Sequence, residues 1–463
     1  MKRIRNIHFI GIGGIGMCGI AEVMLNQGYQ VSGSDVAEND NVARLIQLGA
    51  TIKIGHAADN IEQADVVVVS SAISEENPEL VSAHKSGIPV VPRAEMLSEL
   101  IRKKNGIAVS GTHGKTTTTS MVSSMLDHAG MSPTYVIGGR LLRNDKNASL
   151  GDSDYFVAEA DESDGSFLLF HPVISVVTNI DNDHLAVYHD RMEDLIAAFQ
   201  QFISDIPFYG CAILCIEDQN IVDLLPKLHR RVLTYGFDPS ATVYCKSMTQ
   251  SEAGVDMHVI SDVYHLDVHI NIQLYGRYNV LNALASICVG LELGVEIELI
   301  QSSLSSFTGI SRRFNTYDVE MSGHRAITVI DDYGHHPTEI TSVLETILEV
   351  FNGRRVIFVF EPHRYSRVKS LFDGFVESML MADYQLVLPI YAASETETLG
   401  VSSSGICDAL RSLGAKDAHA VSDIKSLFEI LDRIVEGNDV VLFMGAGSVG
   451  RVVKEFIAEV EDE

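Results

Sequence analysis

The stretch VSGTHGKTTTTS, Val109 to Ser120, starts on the last two residues of the apolar run GIAVS and opens a helix-like segment. A strand running into Gly111, Thr112, His113, Gly114, Lys115 and Thr116, with Thr117 continuing into a helix, is how a phosphate-cradling loop is built. Backbone N–H groups surround the phosphates, the lysine reaches the β and γ oxygens, and the threonine hydroxyl faces Mg2+. The spacing is G-x-x-G-K-T, a shortened relative of G-x-x-x-x-G-K, with Val109 where the first glycine would stand. A tight turn capped by threonines is the bland alternative, but Gly-Lys-Thr directly after a strand favours the phosphate loop.

A divalent ion in such a loop needs further oxygen donors. Two nearby strand ends offer them. In FVAEADESDGS, Glu159 and Asp161 are two apart and so face the same side of a strand; in VVTNIDNDHL, Asn179, Asp181, Asp183 and His184 crowd one turn. Imidazole is unusual on Mg2+ and better suited to a second divalent ion. The apolar runs GIAVS, YFVAEAD, VISVVTNID and GCAILCIED predict a parallel sheet, and the shorter alternation in VYHLDVHINIQL predicts a small antiparallel addition over 241–275.

Upstream, HFIGIGGIGMCGIAEVML sets Gly11, Gly13 and Gly16 in G-x-G-x-x-G spacing between a strand-like and a helix-like run. Asp35 ends the next strand, near where a ribose-binding acid belongs, so a dinucleotide redox site is the first reading. Downstream of residue 310, AITVIDD, RRVIFVF, YQLVLPI and DVVLFMG alternate with helical runs and end in DDYGHHP, EPHRYSR, YAASE and GAGSVG. Ligands of open parallel sheets bind at the carboxyl ends of strands. These loops are therefore expected to bring Tyr333, His335, His363, Arg364 and Arg367 together. GAGSVG repeats the dinucleotide spacing, but too little chain follows for a second strand, so it reads as the turn into the last helix.

The fold class is thus α/β with three domains. Residues 1–106 form a Rossmann-like parallel sheet. Residues 107–309 form a P-loop ATPase-like domain with a small antiparallel addition, and 310–463 a second Rossmann-like domain. A chain of 463 residues agrees with more than one core. A net charge of -28 argues against nucleic acid or anionic lipid as the main partner. The start MKRIR followed by apolar residues imitates a signal peptide, but it lacks a small-residue cleavage site, and no apolar run reaches the ~18 residues of a membrane span. The six scattered cysteines read as reduced core residues, including the close pair Cys211 and Cys215, which has no second ligand pair at zinc spacing. A cytoplasmic enzyme is the expectation. A diphosphate turn, an ATP-type loop with metal ligands and a His/Arg-rich third domain in one chain suggest ATP-driven joining of a nucleotide-linked acid to another molecule. A dehydrogenase has no use for the second site.

GTHGKTTT, EADESD, NID-x-DH, GRYNVLNALA, RRFN, DDYGHHP and PHRYSR, in this order, resemble the Mur ligases of cell-wall synthesis over essentially the whole chain. DDYGHHP with PHRYSR points to the member that adds L-alanine. The resemblance implies that the glycine turn holds the pyrophosphate of UDP-N-acetylmuramate, whose carboxylate attacks ATP to give an acyl phosphate that L-alanine's amine then displaces. It implies the UDP-sugar on Gly13, Gly14, Ile15, Gly16, Asp35, His56, Ser70 and Arg93. ATP falls on the 111–117 loop with Asn279, Asn282, Arg313 and Asp332. Mg2+, with Mn2+ as a substitute, falls on Thr116, Glu159 and His184, and the amino acid on Tyr333, His335, His363, Arg364 and Arg367. Lys115, His184, His335 and Arg364 are the implied catalytic set, and a monomer or weak homodimer the implied state.

Two departures are visible. Tyr278 replaces the family's usual His before Asn279, and no lysine lies between His184 and Pro226 to carry the carbamate that bridges two metals in several siblings. The nearest alternative is a ligase that attaches a recycled tripeptide to the same sugar. A non-catalytic nucleotide sensor on this fold is the alternative from another class.

Overall fold

The computed structural model describes residues 4–70, 72–143, 145–321, 324–393 and 395–462. Its strands fall into three sheets.

The first sheet contains β1 (Asn6–Ile10), β2 (Gln30–Asp35), β3 (Thr51–Ile54), β4 (Val66–Val69) and β5 (Val90–Pro92), in the order β3-β2-β1-β4-β5 and parallel throughout. Runs such as Val66–Val69 are apolar without alternation because helices cover both faces of a parallel sheet. The chain reverses direction across the sheet between β1 and β4, and the crevice beyond their carboxyl ends is where such sheets take ligands.

The second sheet holds β6 (Asn105–Ser110), β7 (Thr134–Val136), β8 (Ala148–Ser149), β9 (Tyr155–Glu159), β10 (Ile174–Val177), β11 (Cys211–Cys215), β12 (Arg231–Gly236), β13 (Val243–Ser251), β14 (Gly254–Ser261) and β15 (Leu266–Ile272). Their order is β15-β14-β13-β12-β11-β10-β6-β9-β7-β8. Strands β6, β9 and β10 run parallel and adjacent, so the phosphate-loop candidate, Glu159 and the Asn179–His184 turn emerge at one edge. Neighbours β13, β14 and β15 are joined by links too short for a parallel crossover, which makes them the expected antiparallel addition.

The third sheet, β16 (Asn315–Met321), β17 (Arg325–Asp332), β18 (Val356–Phe360), β19 (Tyr384–Val387), β20 (Ala418–Ala420) and β21 (Val440–Met444), has the order β16-β17-β21-β18-β19-β20. Only its β16–β17 pair is antiparallel. Two apolar clusters cover its faces, one around Phe358, Phe360 and Phe375, the other around Val359, Phe443 and Phe456.

Contacts gather the chain into two units. One comprises 1–248, 257–271 and 279–308; the other comprises 309–463 with the short segments 249–256 and 272–278. All six cysteines are buried and free. Cys211 and Cys215 bracket β11 at ~13 Å along the strand, too far for one metal ion, and burial pushes their thiols up to about 11 and about 12.

Candidate active site

The phosphate-loop candidate has the geometry that its glycines permit. Gly111 and Gly114 take φ of +126° and +84°, and the helix Lys115–His128 begins directly after them. A Cβ on Gly114 would stand 2.6 Å from Asn282 Oδ1. The loop is clamped to the turn beyond β10. His113 N donates to Asn179 Oδ1 at 2.8 Å, Thr178 Oγ1 and Asn179 Nδ2 donate to His113 O at 2.6 and 3.0 Å, and Asp181 N donates to Thr112 Oγ1 at 2.8 Å. His113 Nε2 lies 3.1 Å from Asp181 Oδ2.

Lys115 curls back over its own loop. Its Nζ donates to Gly111 O at 2.6 Å and to both oxygens of Glu162 at 3.0 and 2.8 Å. Glu162, in the middle of EADESD, is buried, which its place in an acidic run does not signal. Burial alone would lower the Lys115 ammonium, but Glu162 and Asp161 beside it raise it above the ordinary lysine range. Burial raises Glu162 in turn, against the pull of Lys115. The loop thus carries a cation with an internal anion in its grip, an arrangement that phosphate oxygens can replace.

Thr116 Oγ1 donates to Glu159 Oε2 at 3.1 Å, and Gly138 N donates to Oε1 at 2.6 Å. Hydroxyl and carboxylate oxygens meeting beside a phosphate loop are the hard donors that Mg2+ takes. His184 has φ of +58°, its Nε2 3.3 Å from Asp183 Oδ2, at the end of the turn that clamps the loop. Asn282 accepts from Thr118 Oγ1 at 3.1 Å and donates to Asn279 Oδ1 at 3.1 Å, which places this buried pair against the phosphate-loop helix.

In the first sheet, Gly11 has φ of +76°, and the turn leads into the helix Ile15–Asn26. Gly13 N donates to Asp35 Oδ2 at 2.8 Å, and Asn41 Nδ2 donates to Gly13 O at 2.7 Å. A Cβ on Gly13 would stand 2.6 to 2.9 Å from the side chains of Asn39, Val42 and Asp35, so a larger residue there would have to displace them. Gly14 and Ile15 remain exposed. The buried carboxylate of Asp35 thereby braces the turn. His56 follows β3, Ser70 follows β4, and Arg93 opens the helix after β5 with its side chain against Gly16. The carboxyl edge of this sheet collects the implied UDP-sugar residues.

The third sheet gathers its loops into a chain of rings. Tyr333 meets His335 at 5.6 Å between centroids, His335 meets His363 at 5.7 Å, and His363 stacks on Tyr391 at 5.5 Å. Arg367, buried, brings Nη1 within 3.3 Å of His363 Nδ1. Arg364 stands at the helix N-terminus with φ of +67°, and its N–H donates to Tyr391 O. Burial, then Arg367 and Arg364, lower His363 to about 4, so it is neutral near pH 7. Arg312 and Arg313 both lie about 5 Å from the Tyr333 ring centre. Asp332 accepts from Phe314 N and Gly334 N at 2.8 and 2.7 Å, tying the 312–314 segment to the Tyr333 loop. Burial raises its carboxyl to about 6, against Arg313 and these two bonds. Tyr278 has its hydroxyl buried without a hydrogen-bond partner among the described residues.

Glu361 organises GAGSVG. Its carboxylate takes Ser448 Oγ at 2.5 Å and Val449 N at 2.9 Å, which caps the helix Val449–Asp462 as expected of a turn into a last helix. In the sequence Glu361 carries no signal beyond its place at a strand end.

Known proteins carry the same organisation. Three family models match in order: the Mur ligase family catalytic domain over residues 6–105, the Mur ligase middle domain over 109–290, and the Mur ligase glutamate ligase domain over 312–447. The UDP-N-acetylmuramate--L-alanine ligase of Hydrogenovibrio crunogenus is 48% identical over 457 residues, covering 98% of each chain. That of Desulfatibacillum aliphaticivorans is 49% identical over 453 residues, again covering 98% of each. The crystal structure of the UDP-N-acetylmuramate-alanine ligase of Thermotoga maritima superposes with a TM-score of 0.83 at 31% identity, over 99% of this chain and 100% of that one. Matched in order by three family models from residue 6 to 447 and by relatives along nearly its whole length, the protein belongs to the Mur ligase family.

Proposed function

We propose that this protein is an ATP-dependent ligase that joins L-alanine to the carboxylate of UDP-N-acetylmuramate in peptidoglycan precursor synthesis, releasing ADP and phosphate. The observation that carries the reading is the meeting of Lys115, Thr116 and Glu159 at the adjacent ends of β6 and β9, in a chain aligned end to end with relatives bearing that name. The domains are 1–106 for the UDP-sugar, 107–309 for ATP and 310–463 for the amino acid, close to the limits of the three family models.

The chemistry is positioning and charge stabilisation. Lys115 exchanges Glu162 for phosphate oxygens and follows the migrating γ-phosphoryl group as the lactyl carboxylate attacks it. Thr116 and Glu159 would hold Mg2+, with His184 beside a second ion, and a metal bound there would neutralise charge on the phosphates. Asn279 and Asn282 contribute at the nucleotide, and Arg313 and Asp332 complete the ATP set. Gly13, Gly14, Ile15, Gly16, Asp35, His56, Ser70 and Arg93 hold the UDP-sugar. Arg364 and Arg367 pair the alanine carboxylate, Tyr333 and His363 limit the space for its side chain, and His335 sits between them. Alanine's nitrogen then attacks the acyl phosphate carbonyl, and phosphate leaves from the tetrahedral intermediate.

The test is ADP release with single omissions. Release is expected only with ATP, Mg2+, UDP-N-acetylmuramate and L-alanine together. Preference for the tripeptide over L-alanine would transfer the reading to the recycling ligase, and nicotinamide turnover without ATP would sink it.

A further inference from the structure

Glu79 sits in a buried polar cluster that the steps above do not use. It opens the helix Pro78–Ser86 and is fully buried. Its Oε2 accepts from Ser34 Oγ at 2.7 Å and lies 3.1 Å from His8 Nε2. Its Oε1 accepts from Asn60 Nδ2 at 2.6 Å and Ala57 N at 3.2 Å, and lies 3.5 Å from His56 Nδ1. Burial would lift this carboxyl, yet hydrogen bonds from His8, Ser34 and Asn60 hold it at about 2. An ionised carboxylate only accepts.

That one-way chemistry fixes the next partner. The single hydroxyl proton of Ser34 is committed to Glu79, so the 3.0 Å contact between Ser34 Oγ and His56 Nδ1 requires His56 to donate. The proton of a neutral His56 ring is thereby held on Nδ1, and Nε2 keeps its lone pair. The bond made by one ring nitrogen sets what the other can do. His56 lies just beyond β3, on the ligand-binding edge of the first sheet, and a lone pair there suits an N–H or O–H group and repels a phosphate oxygen.

We propose that Glu79 and Ser34 are positioning residues that lock His56 in its Nδ1–H form, so that Nε2 accepts a hydrogen bond from the nucleoside of the UDP-sugar, either uracil N3–H or the ribose 2′-hydroxyl. This rests on reading the first domain as the UDP-sugar site.

The experiment uses the full chain in two measurements. Nitrogen-15 spectra of the histidine rings, with the His56 signal identified by its loss in His56→Gln, are expected to show the proton on Nδ1 in the wild type and a redistribution toward Nε2 in Ser34→Ala. Calorimetric titration with UDP, CDP and 2′-deoxy-UDP reads the contact. One lost hydrogen bond to a buried partner is worth about 1–3 kcal/mol, so the wild type should favour UDP by about 5- to 100-fold over CDP if N3–H is the donor, or over 2′-deoxy-UDP if the hydroxyl is. In Ser34→Ala that preference should collapse to about twofold or less, while His56→Gln, whose amide oxygen can stand near the Nε2 position, should keep more of it than His56→Leu. A proton on Nε2 in the wild type, or equal discrimination in wild type and Ser34→Ala, overturns the proposal alone. No binding of any of the three nucleotides overturns the UDP-sugar reading and the proposal with it.

Discussion

Two turns of this molecule share the spacing G-x-G-x-x-G and have different environments. At Gly11–Gly16 the helix N-terminus is open: Gly14 is exposed, and a Cβ there would find nothing nearer than Gly11 O at 3.4 Å. At Gly445–Gly450 the corresponding space is filled. Glu361 caps the helix through Ser448, the counterpart of Gly14, and through Val449 N, whereas the second glycine is crowded in both turns: a Cβ would stand 2.6 Å from Asn39 at Gly13 and 2.5 Å from Glu361 Oε2 at Gly447. The loop at Gly111–Thr116 lies between these cases, its Lys115 holding an exchangeable internal anion, Glu162. Glycine spacing therefore encodes a tight turn into a helix. What sits at the turn is decided by residues far away in sequence.

The largest effect that would sharpen this contrast lies at the exchangeable loop. Lys115→Ala should cut turnover by about 10² to 10³, as loss of a preorganised electrostatic donor does. It should also destabilise by about 3–5 kcal/mol, because Glu162 loses its charge partner in a buried place. Adding Glu162→Gln should restore much of the melting temperature and none of the turnover. Turnover within about threefold of wild type in folded Lys115→Ala would refute the phosphate role.

Next is the third-sheet ligand edge beside the filled turn. Arg367→Ala should raise KM for L-alanine by about 30-fold or more, the effect of losing a desolvated charge partner, while the acyl phosphate, trapped by borohydride reduction, still forms. An unchanged KM would return this arginine to a structural role with His363.

Two glycine substitutions compare a crowded position of the second turn with the open helix N-terminus of the first. Gly447→Ala should cost about 1–3 kcal/mol in urea unfolding through overpacking. Gly14→Ala, at φ of -62°, should stay within about 0.5 kcal/mol of wild type yet raise KM for the UDP-sugar. Equal stability losses at both positions would break the distinction between the open N-terminus and the crowded position.

The smallest expected effect is the wild-type pH slope of stability in the second unit. Asp332, raised to about 6, keeps its proton on folding, so it contributes stability that is lost as pH rises from about 4 to 6. His363, lowered to about 4, sheds its proton on folding, so its contribution grows as pH rises from about 4 to 6.5. The two opposing slopes should leave a net change under about 1 kcal/mol in wild type. Asp332→Asn should uncover a rise with pH and His363→Gln a fall, both measurable by thermal unfolding across pH 4–7.

Three α/β sheets were legible in the succession of apolar runs alone. The sequence also located the strand ends where Lys115, Glu159, His335, His363 and Arg367 stand, because strand period and turn chemistry are local properties. Resemblance in the motifs named the family, and three family models and full-length relatives agree with it. Glu79, Glu162 and Glu361 had no such signal: a glutamate in an acidic run or at a strand end reads as solvated surface. Tertiary structure alone buried them and gave each a partner, Ser34 and His8 for Glu79, Lys115 for Glu162, Ser448 and Val449 for Glu361. The physical reason is that a carboxylate's role depends on which donors surround it after desolvation, and those donors come from strands and loops that only the folded sheets make neighbours.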